Sequence, residues 1–168
     1  SHAPDGAPAD LAERSTTSAV FDAAAAAGGI PVVFTSSASV YGHQPAQPVR
    51  EDAPLAPLTP YARDKVRLER DAATAFRNSG VPSFGIRLFN PYGPRQSASS
   101  PFGGVVARFA AAIRAGEELV VNGDGRQVRD FIFVADAVAH LRAAMAAALR
   151  GPQAGIANGC TGRPVTII

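Results

Sequence analysis

Residues 30–35 form a continuous run of apolar side chains, mostly β-branched or aromatic, the pattern of a strand buried on both faces of a parallel sheet. The run stops at Ser36-Ser37-Ala38-Ser39. Small hydroxyl residues at the carboxyl end of such a strand stand where open α/β sheets bind ligands, and they also make ordinary Ser-rich turns. A second strand is expected over 81–89. Between the two lies a segment of helical period, 60–78, opened by Thr59-Pro60 and closed by Asn78-Ser79-Gly80. Strand, helix and strand in that order predict a right-handed crossover in a parallel sheet. An alanine-rich helix is expected over 15–27, small enough in its side chains to pack closely on the sheet. Residues 43–60 contain five prolines and predict a long loop anchored by Leu55 and Leu58.

Beyond the second strand, Asn90-Pro91-Tyr92-Gly93-Pro94 predicts a turn at the same sheet edge as Ser37. The pattern then gives an amphipathic helix over 103–115 with Val106, Phe109, Ala110 and Ile113 inward, a short strand at 119–121 and a turn at 122–125. A strand at 128–134, a helix over 135–150 and short strands at 156–158 and 165–168 complete the order.

The chemistry concentrates in the central helix. At 100° per residue, Tyr61, Lys65, Leu68, Ala72 and Phe76 share one stripe, with Arg63, Asp64, Arg67, Arg70 and Asp71 opposite. Lys65 is therefore expected on the apolar side, beside Tyr61. It is also the only lysine, since the other fifteen of sixteen basic residues are arginine. Arginine presents a wide planar head, whereas lysine is a compact point charge. A cation beside a phenol stabilises the phenolate, which makes Tyr61 and Lys65 a candidate general base for a hydroxyl proton. A lysine snorkelling over a buried tyrosine gives the same spacing.

Composition narrows the alternatives. With 46% hydrophobic and 18% charged residues, 168 residues can bury a core as one domain. The net charge of +2 and the scattered arginines argue against nucleic acid as a partner. Cys160 stands alone, and His2, His43 and His140 share no ligand spacing, so no disulfide framework or metal site is expected. Residues 1–6 lack the basic and apolar regions of a signal peptide, and the apolar stretch 19–34 is broken by Asp22, Gly28, Gly29 and Pro31. A cytoplasmic chain with no membrane segment is the expectation.

Four stretches fall in a telling order: Thr35-Ser36-Ser37-Ala38-Ser39-Val40-Tyr41-Gly42, then Pro60-Tyr61-Ala62-Arg63-Asp64-Lys65, then residues 87–96 beginning Arg87-Leu88-Phe89-Asn90-Pro91-Tyr92, and finally residues 123–134 around Arg129-Asp130-Phe131. Together they resemble the extended short-chain dehydrogenase/reductase superfamily, in particular its NAD-dependent nucleotide-sugar epimerases of the UDP-glucose 4-epimerase kind. The resemblance runs from about residue 15 to the end and implies a partial Rossmann-like parallel sheet with part of a small substrate-binding domain. It implies that Ser37 and Tyr61 flank the sugar hydroxyl being oxidised, that Tyr61 takes its proton, and that Lys65 favours the phenolate and bonds the nicotinamide ribose. Phe89 would lie by the nicotinamide, and Asn90 and Arg129 would hold the substrate diphosphate. The structural alternatives are a core Phe89, a turn residue at Asn90 and an Arg129 paired with Asp124 or Asp130. Arg87 also matches a family position, but an arginine inside a strand calls for a structural partner and is left out of the site. The implied cofactor is NAD, the substrate a nucleotide sugar, and the assembly a homodimer.

One departure qualifies this. Such enzymes begin with a strand, a Gly-rich turn and a helix that bind the dinucleotide pyrophosphate, and no such fingerprint occurs in these residues. The expectation is a chain corresponding to the middle of an enzyme, binding NAD weakly or not at all by itself. Its divisions would be a loose lead-in over 1–14, the second half of a Rossmann-like domain over 15–90 and a partial substrate region over 91–168, from which a strand and helix at about 128–150 return to the main domain. Ser37 is followed by Ala38 and Ser39, which lack the acidic group a dehydratase of the superfamily carries there, and this favours epimerisation at C4 of a UDP-sugar. A dehydratase or reductase of the same superfamily and a non-catalytic truncated α/β module are the alternatives.

Overall fold

The first apolar run becomes strand β1 (Val32–Ser37), which extends two residues into the serines. The structure, a computed structural model, describes residues 16–44, 47–100, 103–151 and 153–168. Strand β2 (Ser83–Leu88) pairs parallel to β1, Val32 opposite Ser83 and Ser37 opposite Leu88, and β6 (Ala154–Gly159) adds parallel to the other edge of β2. Between β1 and β2 runs helix α2 (Pro60–Ser79), with the Thr59 hydroxyl accepting from the Ala62 amide and Gly80 closing it in the left-handed region at φ 67°. This is the expected parallel crossover, and the fold is the partial Rossmann-like α/β architecture that the motifs imply.

Helix α1 (Thr16–Ala26) lies against α2, and together they cover one face of the sheet through Phe21, Ala24, Ala72 and Val81, with Val32, Phe34 and Leu68 packed around them. Helix α4 (Val134–Arg150) covers the other face, burying Ala137, Ala144 and Ala148 at close approach. In register across the α1/α2 face stand Phe34, Gly85 and Ile156. A Cβ at Gly85 would meet the Phe34 ring and the Ile156 side chain, so glycine leaves the space these two fill.

The second half is built from small pieces. Strand β3 (Asn90–Tyr92) pairs parallel with β5 (Phe131–Phe133), and β4 (Val128–Arg129) pairs antiparallel with β7 (Val165–Thr166). Tyr92 meets Phe131 and Phe133 edge-on at 6.4 and 5.6 Å between ring centres. Helix α3 (Val105–Ala115) lies between β3 and β4 in the chain.

Several expectations need correction, among them the turn over 90–94, whose first three residues pair as β3. The strand over 128–134 breaks at Asp130, whose buried carboxylate accepts from the Thr161 amide and hydroxyl and the Gly162 amide, so the backbone changes partner there. Residues 119–121 form no strand, and Val120 stands exposed. Helix α3 buries no residue, Ile113 is 66% exposed, and Val106 and Phe109 face a cleft. In the long loop, Leu58 is 60% exposed; the anchors are instead Val49 and Ala53, packed against Val40, Tyr41 and Val66.

Replacing Gly85 with alanine should overfill the row it shares with Phe34 and Ile156 and cost about 1–3 kcal/mol. Gly151→Ala, at an extended φ of 172° with open space around it, should leave stability nearly unchanged. Urea denaturation of the two variants checks the contrast, and equal midpoints would contradict this account of the sheet.

Candidate active site

The carboxyl end of β1 and the first turns of α2 meet as the motifs suggest. The Lys65 ammonium donates to the Thr35 carbonyl at 2.8 Å and lies 5.6 Å from the centre of the Tyr61 ring. Ser37, two residues past Thr35, turns the chain into a 3-10 turn (Ala38–Tyr41), and its hydroxyl oxygen accepts from the Ser39 amide at 3.2 Å and the Ser39 hydroxyl at 2.9 Å. The expected helix face is displaced, however. The residues of α2 that bury are Ala62, Val66 and Ala72, one position beyond the predicted stripe at its start, while Tyr61 is 56% exposed. The phenol therefore stands at the rim of the packed layer, with the ammonium at the surface beside it.

What holds this end together lies one turn farther along α2. Glu69 and Arg87 form a buried ion pair, Nη2 to Oε2 at 2.7 Å and Nε to Oε1 at 2.9 Å. Ser36 donates its hydroxyl to the same carboxylate. Arg87 Nη1 donates to the Tyr41 hydroxyl at 2.8 Å and to the Glu51 carbonyl at 3.0 Å. Tyr41 in turn donates to Asn158 Oδ1 at 2.6 Å. Burial pulls the Arg87 guanidinium down, but its bonds to Glu69 and Tyr41 outweigh that and hold it above its ordinary value. Burial pushes the Tyr41 phenol up, against the pull of Arg87. Arg87 thus has the structural partner expected of an arginine in a strand. The network itself escaped the motif reading, although Glu69 follows Lys65 by four residues, the spacing that puts both on one helix face.

Phe89, Asn90 and Arg129 gather elsewhere, around a cleft of about 460 Å³ between α3 and the β3–β5 ribbon. Asn90 is fixed through its backbone N–H, which donates to the Asp130 carbonyl at 3.1 Å. Arg129 pairs with neither predicted acid: its Nη1 donates to the Val128 carbonyl, Asp124 accepts from the Arg126 amide, and Asp130 holds Thr161 and Gly162. Ser37, Tyr61 and Lys65 do not line this cleft. Phe89 connects the two groups, since it lines the cleft and also packs against the Val40–Tyr41–Val66 cluster beneath the 3-10 turn. Gln96, Arg108 and Gln127 also line the cleft and carry no periodic signal that would single them out.

Residues 7–158 match the NAD dependent epimerase/dehydratase family. The chain belongs to that family. It is 45% identical over 121 residues to a UDP-glucose 4-epimerase of Mycolicibacterium smegmatis, covering 70% of this chain and 37% of that protein. A UDP-N-acetyl-alpha-D-glucosaminuronate decarboxylase of Bacillus cytotoxicus is 38% identical over 127 residues, 73% of this chain and 39% of the relative. Among solved structures, a UDP-N-acetylglucosamine 4-epimerase from Methanobrevibacter ruminantium M1, in complex with UDP-N-acetylmuramic acid, superimposes with a TM-score of 0.83 at 32% identity, over 98% of this chain and 55% of that one. The chain therefore spans well under two thirds of the length of each of these relatives. Among the described residues no cluster of His, Cys, Asp or Glu could hold a metal ion, and no helix is long and apolar enough to cross a membrane.

The buried pair gives a stability test. Arg87→Met leaves the Glu69 carboxylate buried without its counter-charge and should cost about 3–5 kcal/mol, or prevent folding. Arg87→Met combined with Glu69→Leu removes both charges and should recover most of the loss. Chemical denaturation of the single and double variants reads the difference, and a double variant no more stable than the single would show that the charges are not the cause.

Proposed function

We propose that this chain carries the proton-transfer pair and part of the substrate cleft of an NAD-dependent nucleotide-sugar epimerase, which interconverts the C4 stereochemistry of a UDP-sugar through a 4-keto intermediate. The observation that carries the reading is the Lys65 ammonium, bonded to Thr35 at the end of β1 and set beside an exposed Tyr61 phenol.

Lys65 spends one of its three donors on Thr35, so two remain for a ribose hydroxyl and for the oxygen of Tyr61. An exposed phenol with a neighbouring ammonium suits the nicotinamide-ribose end of a dinucleotide, and Tyr61, Lys65 and Phe89 are the residues that would hold it. When bound, the dinucleotide supplies the acceptor and donor of the hydride. Tyr61 takes the proton of the sugar hydroxyl, Ser37 shares a hydrogen bond with the same oxygen, and Lys65 stabilises the phenolate. Asn90 and Arg129 in the cleft suit the substrate diphosphate, for which the forked guanidinium is the matching donor. Tyr61 then returns that proton to the same oxygen when the hydroxyl is regenerated with the opposite configuration at C4.

Epimerisation is favoured over dehydration because the residues after Ser37 offer no acid or base to expel water. Ala38 packs partly against the Val40–Tyr41–Val66 cluster, so the argument rests on its missing ionisable group and not on empty space left by its small side chain.

The complete enzyme, incubated with UDP-glucose or UDP-N-acetylglucosamine, should yield the C4 epimer with no net consumption of NAD, as read by NMR of the sugar. Accumulation of a 4-keto-6-deoxy sugar, or stoichiometric NADH release, would overturn the assignment. In the same assay Lys65→Arg should lower turnover by ~10²-fold or more, because the bulkier head cannot take the ammonium's position. Near-normal turnover would remove Lys65 from the mechanism.

A further inference from the structure

We propose that Glu69 and Arg87 are positioning residues for Lys65: the buried ion pair sets where the ammonium stands beside Tyr61. Lys65 and Glu69 are neighbours on one face of α2, four residues apart. Lys65 bonds the main chain of β1 at Thr35, and Glu69 accepts the side-chain hydroxyl of the next residue, Ser36. Two consecutive residues of the strand thus grip two consecutive turns of the helix. Glu69 is held in turn by Arg87 of β2, which engages both carboxylate oxygens.

This arrangement does two things for the ammonium. A lysine side chain is a flexible stem, so the place of its charge depends on where the helix turn that carries it is fixed relative to its acceptor. The Ser36–Glu69 contact fixes that turn over Thr35. A carboxylate one turn away is also the natural rival for a lysine's charge. With Arg87 occupying both of its oxygens, Glu69 leaves the ammonium to Thr35 and the Tyr61 ring. The functional meaning of this placement rests on Tyr61 and Lys65 being the proton-transfer pair; the placement itself does not.

The lone lysine makes the test direct. The full chain labelled with ¹³C,¹⁵N-lysine gives one set of side-chain signals, from Lys65. The ε-methylene signal should carry a ring-current shift from Tyr61, identified by its loss in Tyr61→Leu. Glu69→Asp draws the carboxylate back by one methylene, and Ser36→Ala removes the contact to the strand. Both should move the Lys65 signals toward those of free lysine, and Glu69→Gln, equal in length, should move them less. Val81→Ala, which opens a cavity in the α1/α2 core at a residue that is fully buried, should lower stability and leave the Lys65 signals in place. If Glu69→Asp fails to fold, Ser36→Ala reads the same quantity. Unchanged Lys65 signals in a folded Glu69→Asp or Ser36→Ala chain would overturn the proposal, as would an equal shift in Val81→Ala. None of these outcomes depends on turnover, so they stand apart from failure of the epimerase reading, which the Lys65→Arg assay detects.

Discussion

A guanidinium and a carboxylate removed from water each lose several kcal/mol of hydration, and their mutual attraction repays this only when the remaining donors and lone pairs are satisfied. Arg87 and Glu69, with side chains 6% and 8% exposed, meet that condition. Arg87 directs its donors to Glu69, Tyr41 and the Glu51 carbonyl, and Glu69 accepts from Ser36 as well. The partners come from β1, the 3-10 turn, the long loop, α2 and β2, and Tyr41 extends the network to Asn158 on β6. The loop returns the contact, since the Glu51 carboxylate accepts from the Asn158 amide and the Val49 carbonyl from its side chain. A row of three in-register residues, Ser36, Arg87 and Asn158, thereby ties a proline-rich connection and a helix to one end of the sheet. That end presents Ser37, Tyr61 and Lys65.

The same row explains why local pattern reading located the elements and still misjudged some of their faces. The β1–α2–β2 crossover was legible because β1 opens on a run of β-branched and aromatic residues and α2 carries a cap, a proline and a stop. The pairing of Tyr61 with Lys65 was legible from four-residue spacing. The buried side of α2 was not, because four-residue spacing puts Tyr61 and Lys65 on one face without specifying that this face meets the core. The helix instead buries Ala62 and Val66 beneath them and turns Tyr61 outward. The partners of Arg87 lie up to 46 positions away in sequence, at Tyr41, so no window of local periodicity contains them.

The second half of the chain shows the limit more sharply. Residues 128–134, rich in β-branched and aromatic side chains, read as one strand, yet Asp130 interrupts them because a buried carboxylate must collect hydrogen bonds, and its donors sit in the 161–162 turn. Two short ribbons result in place of one long strand. Helix α3 reads as amphipathic because it is, but its apolar side meets an open cleft instead of a packed core. Amphipathic periodicity reports that a face is apolar; it does not say whether protein or ligand covers that face.

The uneven use of lysine and arginine follows from these contacts. At position 87 the cation must reach a carboxylate, a phenol and a carbonyl at once, and only a planar fork with donors on three nitrogens can do so from one side chain. At position 65 the cation must fit between one carbonyl and the face of one ring, with donors left over, and a compact ammonium meets that need. Exchanging the two would leave a buried carboxylate with too few donors at 87 and an oversized head beside Tyr61 at 65. The composition of the chain, fifteen arginines and one lysine, therefore singles out the position where a point charge is required, and the carboxylate four residues along is kept from it by Arg87, the most deeply buried arginine among the described residues.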